Sequence, residues 1–396
     1  MSLWQDRAAS LDRIDRLTSV RGFAALYVVL FHCQGLVAGF NLTPWTNLVE
    51  KGYLAVDFFF ILSGFIIAYV YAAAFDEARG DYRRFLWLRL ARIYPVHLVM
   101  LAIVFAIWGF GDTLLFTNTP RTLAANALLV HAWGISRKLS FNFPSWSVSA
   151  EWFAYLAFPL LLSLSKPLAQ RPALAVTGAI AGIVTLGVFA SQLLPPGIVI
   201  AGRTFELNAM PSRPFDMAST FALVRVTLEF FAGLLLFRAY DALRGGEPSW
   251  VKRSTTAAAL VLLLTLHSTR LPPLVQETLA VSAAAILILC LALGGGAGGL
   301  LDSRVTVFLG EASYSIYMVH GLVALAYIQL IEHHVVPAEA SLAAGVMTAA
   351  AGIAIVITLG VLMHRYVEVP ARRLLRAVPL FRLTSSTPPD RSFPSR

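Results

Sequence analysis

Ten stretches of the chain are apolar over the length a membrane crossing requires, with short polar segments between them. A helix needs about 20 mostly apolar residues to traverse roughly 30 Å of hydrocarbon. On that measure the sequence predicts spans at about 19–38, 53–74, 93–110, 147–165, 173–193, 220–238, 255–270, 274–296, 306–331 and 341–364. The apolar run 122–135 extends over only about 14 residues, which suits a re-entrant or interfacial piece better than a crossing. The expected fold is an all-α integral membrane protein, a polytopic bundle of about ten transmembrane helices.

Charge placement orients this bundle. With the amino terminus in the cytoplasm, about 23 Lys and Arg fall inside and 7 outside, and Arg225 is left near the outer end of a span. Counting 122–135 as a crossing would put Lys166 and Arg171 outside and reverse every later loop, so both termini are expected in the cytoplasm. Composition points the same way: 58% hydrophobic and 13% charged residues leave too little polar surface for a soluble globule of 396 residues. The net charge of +9 is then explained by topology, without nucleic acid. Cys33 and Cys290 fall inside apolar runs and read as reduced packing residues. The first apolar run is too long for a signal-peptide core, so no cleaved leader is expected.

The expected organisation is a cytoplasmic segment 1–16, a transmembrane domain 17–376 and a tail 377–396 with the composition of disorder. A Pro- and Gly-rich outer connection follows the fifth span, carrying Glu206 and Arg213, and Gly294–Gly299 reads as a flexible inner turn.

Polar groups inside the apolar runs are the candidates for chemistry, since an ionisable side chain in hydrocarbon needs a partner or a wet cavity. Arg21 and His32 are eleven positions apart, which puts them on nearly one face of the first helix, roughly 16 Å apart along its axis. Asp57 lies about one turn into the second span. Arg89 and Arg92 share a helical face at the inner boundary, suited either to holding phosphates or to anchoring in lipid headgroups. Trp146, Ser147 and Glu151 open the fourth span from the outer side, and Ser313, Tyr317 and His320 recur at helical spacing in the ninth. These hydroxyls and imidazoles imply either a hydrophilic cavity or interhelical hydrogen bonds. Glu368 and Pro370 punctuate a basic helix end, and no zinc spacing, P-loop or nucleophile elbow appears, so no metal is expected. Such a polar stripe suits proton transfer, in catalysis or in transport.

In chain order, Arg21 with His32, GYLAVDFFFILSG (52–64), RLARIYP (89–95), WSVSAE (146–151), SYSIYMVH (313–320) and EVPARR (368–373) resemble the acyltransferase-3 family of membrane acyltransferases. The resemblance covers nearly the whole chain. It implies transfer of an acyl group, most often acetyl, from cytoplasmic acyl-CoA to a hydroxyl of a glycan or lipid-linked oligosaccharide at a bacterial inner membrane. Carried onto this sequence, it implies His32 as general base or transient acyl carrier. Arg21, Arg89 and Arg92 would grip CoA, with Tyr94 in the same motif. Glu151 or Asp57 would orient the imidazole, and Trp146, Ser147, Tyr317 and His320 would face the acceptor. Trp152 stands where family members commonly carry a second Glu, and no hydrolase-like domain follows, as in stand-alone members linked to exopolysaccharide, O-antigen or Nod-factor decoration. The rival readings are a proton-coupled transporter or exporter of lipid-linked sugars, and an acyltransferase acting on a small metabolite or lipid headgroup.

Overall fold

The computed structural model describes residues 2–378 apart from 38, 41, 43–45, 113–115, 137, 194–220, 246–248, 269, 296–298, 334 and 336–339. The predicted outer connection after the fifth span, the centre of the Gly294–Gly299 turn and the tail beyond 378 therefore lie outside the described residues.

Ten α-helices of 18 or more residues occupy the described chain: α1 (Ser2–Leu36), α2 (Ala55–Asp76), α3 (Tyr82–Trp108), α5 (Ser145–Ser165), α6 (Pro172–Leu193), α7 (Phe221–Leu243), α8 (Trp250–His267), α9 (Pro273–Ala292), α10 (Arg304–Glu332) and α11 (Leu342–Met363). Two short helices, α4 (Pro120–Ala127) and α12 (Val369–Ala377), complete the set. Each predicted apolar run overlaps one long helix. Helices α1, α3 and α8 begin well before the apolar pattern does, because helical backbone continues into charged residues. α3, for example, starts at Tyr82, where the Asp81 side chain accepts from the Arg84 N–H at 3.0 Å. Among the described residues, six helices are long and apolar enough to cross a membrane: α2, α3, α5, α9, α10 and α11. The expected count of ten crossings is thus not reached on length and composition alone. On α7 the reason is plain, since Arg225, Glu229 and Arg238 are all buried within it.

The two arginines fasten α7 to α2. Arg225 pairs with Asp57 and Arg238 with Asp76, in the same order along both helices, so the two run parallel. Between the pairs the backbones nearly touch: a Cβ on Gly64 would run into the Phe230 carbonyl, and one on Gly233 into that of Ile61. Side chains on α2, α5, α7 and α9 then fill one continuous apolar core.

The run 122–135 is no crossing helix. Asn118 Oδ1 accepts from the Phe141 N–H at 2.7 Å, so the segment leaves and returns at one place. At its far end the Tyr94 hydroxyl donates to the Ala127 carbonyl at 2.6 Å, about 21 Å of helix from the Trp108 end of α3. The hairpin's interior is polar and paired: Asn126 Nδ2 donates to Ser140 Oγ at 2.8 Å, and the Asn126 carbonyl meets His97 Nε2 at 2.8 Å. Those pairings let irregular backbone sit inside the bundle.

Between α11 and α12 the chain forms a π turn over His364–Glu368. Pro370 lacks an N–H, and its ring would clash with the carbonyl four residues before it, so an α-helix cannot continue unbroken there. The turn buries Glu368.

Candidate active site

Helices α1, α2, α3, α5 and α10 enclose a cavity of about 160 Å³. That is room for on the order of ten water-sized groups. Three guanidinium groups line it: Arg21 from α1, with Arg89 and Arg92 three residues apart on α3. Their partners differ. Arg92 forms an ion pair with Glu368, which also accepts from Ser315 Oγ at 2.7 Å and meets His364 Nδ1 at 2.9 Å. Arg89 donates through Nη2 to the Tyr71 hydroxyl at 3.0 Å and lies 5.3 Å from the centre of the Tyr71 ring. Neither Arg89 nor Arg21 has a carboxylate within ion-pair distance among the described residues. Three guanidinium groups against the carboxylates of Glu151 and Glu368 leave the cavity with an excess of positive charge, which favours a negatively charged ligand.

Glu151 lines the same cavity. Its Oε1 accepts from Ser63 Oγ at 2.5 Å and from the Tyr155 hydroxyl at 2.6 Å. Farther along the wall Ser147 Oγ donates to the Tyr317 hydroxyl at 3.0 Å, and that hydroxyl donates to the Pro144 carbonyl at 3.1 Å. Both residues line the cavity, as do Phe59 and Phe60.

His32 lies beyond that wall. The Tyr317 ring is 5.2 Å from that of His320, and His320 is 4.9 Å from His32. His32 Nδ1 is 2.9 Å from the Val28 carbonyl, one turn back on α1. A carbonyl only accepts, so the neutral ring carries its proton on Nδ1 and Nε2 is the basic nitrogen. His320 is fixed the same way, with Nδ1 against the Tyr317 carbonyl.

The structure thus gathers Arg21, Arg89, Arg92, Ser147, Glu151 and Tyr317 around one cavity, and places His32 and His320 behind Tyr317. Three expected site residues, Asp57, Tyr94 and Trp146, lie elsewhere. Asp57 is fully buried and accepts from Arg225 Nε at 2.9 Å and Nη2 at 2.6 Å, a fork-shaped pair that fastens α2 to α7. Tyr94 turns its hydroxyl to the hairpin instead of the cavity. His32 Nδ1 faces the Val28 carbonyl, while Asp57 accepts from Arg225, and Glu151 from Ser63 and Tyr155. Trp146 stacks 5.5 Å from the Arg225 guanidinium and meets Phe60 edge-on at 6.1 Å, supporting the wall from behind.

Sequence reasoning passed over several polar residues. Ser63 and Tyr155 hold Glu151, and the spacing of Tyr155 from Glu151 was a readable sign. Glu229 and Glu277 are buried acids inside apolar runs, the same signal that singled out Asp57. Glu277 accepts from Tyr53 and pairs with Lys51 at 3.5 Å.

Residues 14–365 match the family model described as an acyltransferase domain, Acyl transf 3. The chain is 32% identical over 381 residues to Acyltransferase MdmB of Streptomyces mycarofaciens, covering 92% of each protein. It is 37% identical over 172 residues to Protein 2 in picA locus of Rhizobium radiobacter, 36% of this chain and 84% of that one. Over 224 residues it is 23% identical to Peptidoglycan O-acetyltransferase OatA of Listeria monocytogenes, 54% of this chain and 34% of that one. No solved structure matches. Six apolar helices make this a multi-pass membrane protein, and the match over most of its length makes it a member of the acyltransferase-3 family.

Proposed function

We propose that the protein is an acyl-CoA-dependent O-acyltransferase of a bacterial inner membrane, with ten crossings and both termini in the cytoplasm. It moves an acyl group, most simply acetyl, to a hydroxyl of a glycan. The observation that carries this reading is the cavity itself, with arginines at one end and Tyr317 at the other, one ring from the His320–His32 pair. Three guanidinium groups suit the phosphates of CoA. The acyl-pantetheine arm then extends along the wall bearing Ser63, Glu151 and Ser147 toward Tyr317.

Beyond Tyr317, where the thioester end of the arm has to reach, His32 Nε2 takes the proton of the acceptor hydroxyl as its oxygen attacks the thioester carbonyl. The tetrahedral intermediate collapses with cleavage of the C–S bond, and the proton returns to the departing thiolate, so ester and free CoA are the products. The Val28 carbonyl keeps the ring in the tautomer this requires. The family relationship supports acyl transfer, and the similarity to the peptidoglycan O-acetyltransferase OatA supports a glycan acceptor.

The test gives radiolabelled acetyl-CoA to membranes with and without the protein, together with a crude surface-glycan fraction. Label in glycan only when the protein is present supports the reading. Labelled glycan at equal levels in both membranes, or none in either, overturns it, and uptake of a labelled sugar by the same membranes would favour transport.

A further inference from the structure

Resting on the acyl-transfer reading, we propose that the acceptor is a ring bearing two neighbouring hydroxyls, and that His320 binds the one that does not react. Three rings meet behind the Tyr317 wall. His32 is 4.9 Å from His320, and Phe143 is 5.3 Å from His32 and 5.7 Å from His320. Phe143 is held over the two imidazoles by its neighbours in the chain. Asn142 Nδ2 donates to the Met318 carbonyl at 3.0 Å. Pro144 packs against Gly321 so closely that a Cβ there would lie 2.5 Å from Pro144 Cδ. Phe143 itself is half-buried, with an apolar face of the kind that the C–H groups of a sugar ring cover.

His320 is the unexplained member of this group. It is 2% exposed, its Nδ1 is engaged by the Tyr317 carbonyl, and its Nε2 is buried with no hydrogen-bond partner among the described residues. Native structures rarely leave such an atom unpaired, so a partner supplied from outside the chain accounts for it. With the proton on Nδ1, Nε2 only accepts, and the group that satisfies it is a donor such as a hydroxyl. His32 engages the reacting hydroxyl, and the His320 ring lies beside it, its centre 4.9 Å from that of His32, so neighbouring hydroxyls of one ring are offered one to each imidazole. His320 then decides which hydroxyl faces His32, and Phe143 holds the plane of the ring.

The experiment compares two acceptors that differ by one hydroxyl, vicinal cyclohexanediol and cyclohexanol. Both are offered with acetyl-CoA to the purified full-length protein in lipid nanodiscs. Wild type is expected to favour the diol by about tenfold or more in kcat/KM, the effect of one hydrogen bond in a water-poor site. His320→Phe, which keeps a ring and removes the acceptor, brings the ratio to about one, whatever happens to the overall rate. His320→Gln, which retains an acceptor oxygen, restores part of the preference. Equal use of both alcohols by wild type overturns the inference, as does a preference that His320→Phe leaves intact. Should that variant fail to fold, the wild-type ratio decides alone. Acetylation of a glycan but of neither small alcohol also overturns it while leaving the transfer reading standing. No transfer to any hydroxyl is a failure of the transfer reading itself.

Discussion

Arg92 and Glu368 stand 276 residues apart in the chain and form an ion pair at the edge of the cavity. The pairing depends on the π turn that Pro370 enforces, which turns the Glu368 carboxylate inward toward Arg92, Ser315 and His364. A boundary feature of the last helix is thereby part of the cavity's architecture. Removing the acid leaves a cation half-buried without its counter-charge. Glu368→Ala is expected to lower stability by about 3–5 kcal/mol. Replacing Arg92 and Glu368 together by Met and Leu recovers most of that loss but not the use of acyl-CoA. Thermal unfolding in detergent checks both, and an unchanged midpoint in Glu368→Ala would show that the pair holds nothing together.

Arg21 and Arg89 have no carboxylate partner among the described residues, so their substitution exposes the donor site without undoing a structural ion pair. Arg21→Gln and Arg89→Gln are each expected to raise the KM for acetyl-CoA roughly tenfold, with a smaller effect on kcat. The wild-type KM should itself rise with ionic strength. Initial rates over a range of acetyl-CoA and salt concentrations measure this. Parallel loss of kcat with no change in KM would instead give the two arginines a role in folding or chemistry.

For Asp57 the geometry predicts a structural defect. Both members of its pair with Arg225 are buried, and Asp57→Ala removes the fork-shaped bond that joins α2 to α7, keeping of these carboxylates only Glu229 of α7 itself, at 3.8 Å from Arg225 Nε, a loss of about 3–5 kcal/mol. Asp57→Leu combined with Arg225→Met and Glu229→Gln, which removes the whole buried charge cluster, should regain stability and a measurable part of the activity. A stable but inactive Asp57→Ala would return this carboxylate to the reaction itself.

At the α2–α7 crossing the backbones leave no room for a side chain. Gly233→Val drives a branched side chain into the Ile61 carbonyl and the Gly64 backbone, so the helices cannot keep their spacing. Loss of the monodisperse peak in size-exclusion chromatography is the expected result. A normal peak would mean that the two helices are not in contact there.

What could be read from the sequence follows from how local its causes are. Every long helix is marked by its own apolar run, and the 122–135 segment betrayed itself by being too short to cross. The residues that share the cavity carry the costly mark of polarity inside hydrocarbon, so Arg21, Arg89, Arg92 and Glu151 were visible one at a time. Partnerships were not. Asp57 looked equally suited to orienting His32 until α7 brought Arg225 against it, and nothing within either helix encodes that pairing. Tyr94 lies in the same motif as two cavity arginines, yet its position two residues past Arg92 turns it to another helix face and onto the hairpin. The carbonyl that fixes His32 belongs to the backbone, which no inventory of side chains reveals.

The central claim concerns the His32 imidazole, and one measurement addresses it directly. Purified wild type and His32→Ala, reconstituted in lipid and shown to have the same unfolding temperature, are given radiolabelled acetyl-CoA and a glycan acceptor, and ester-linked label is counted over time. The account predicts steady transfer by wild type and a rate at least about a hundredfold lower in the variant, the contribution of a general base. Transfer by His32→Ala at the wild-type rate would contradict it.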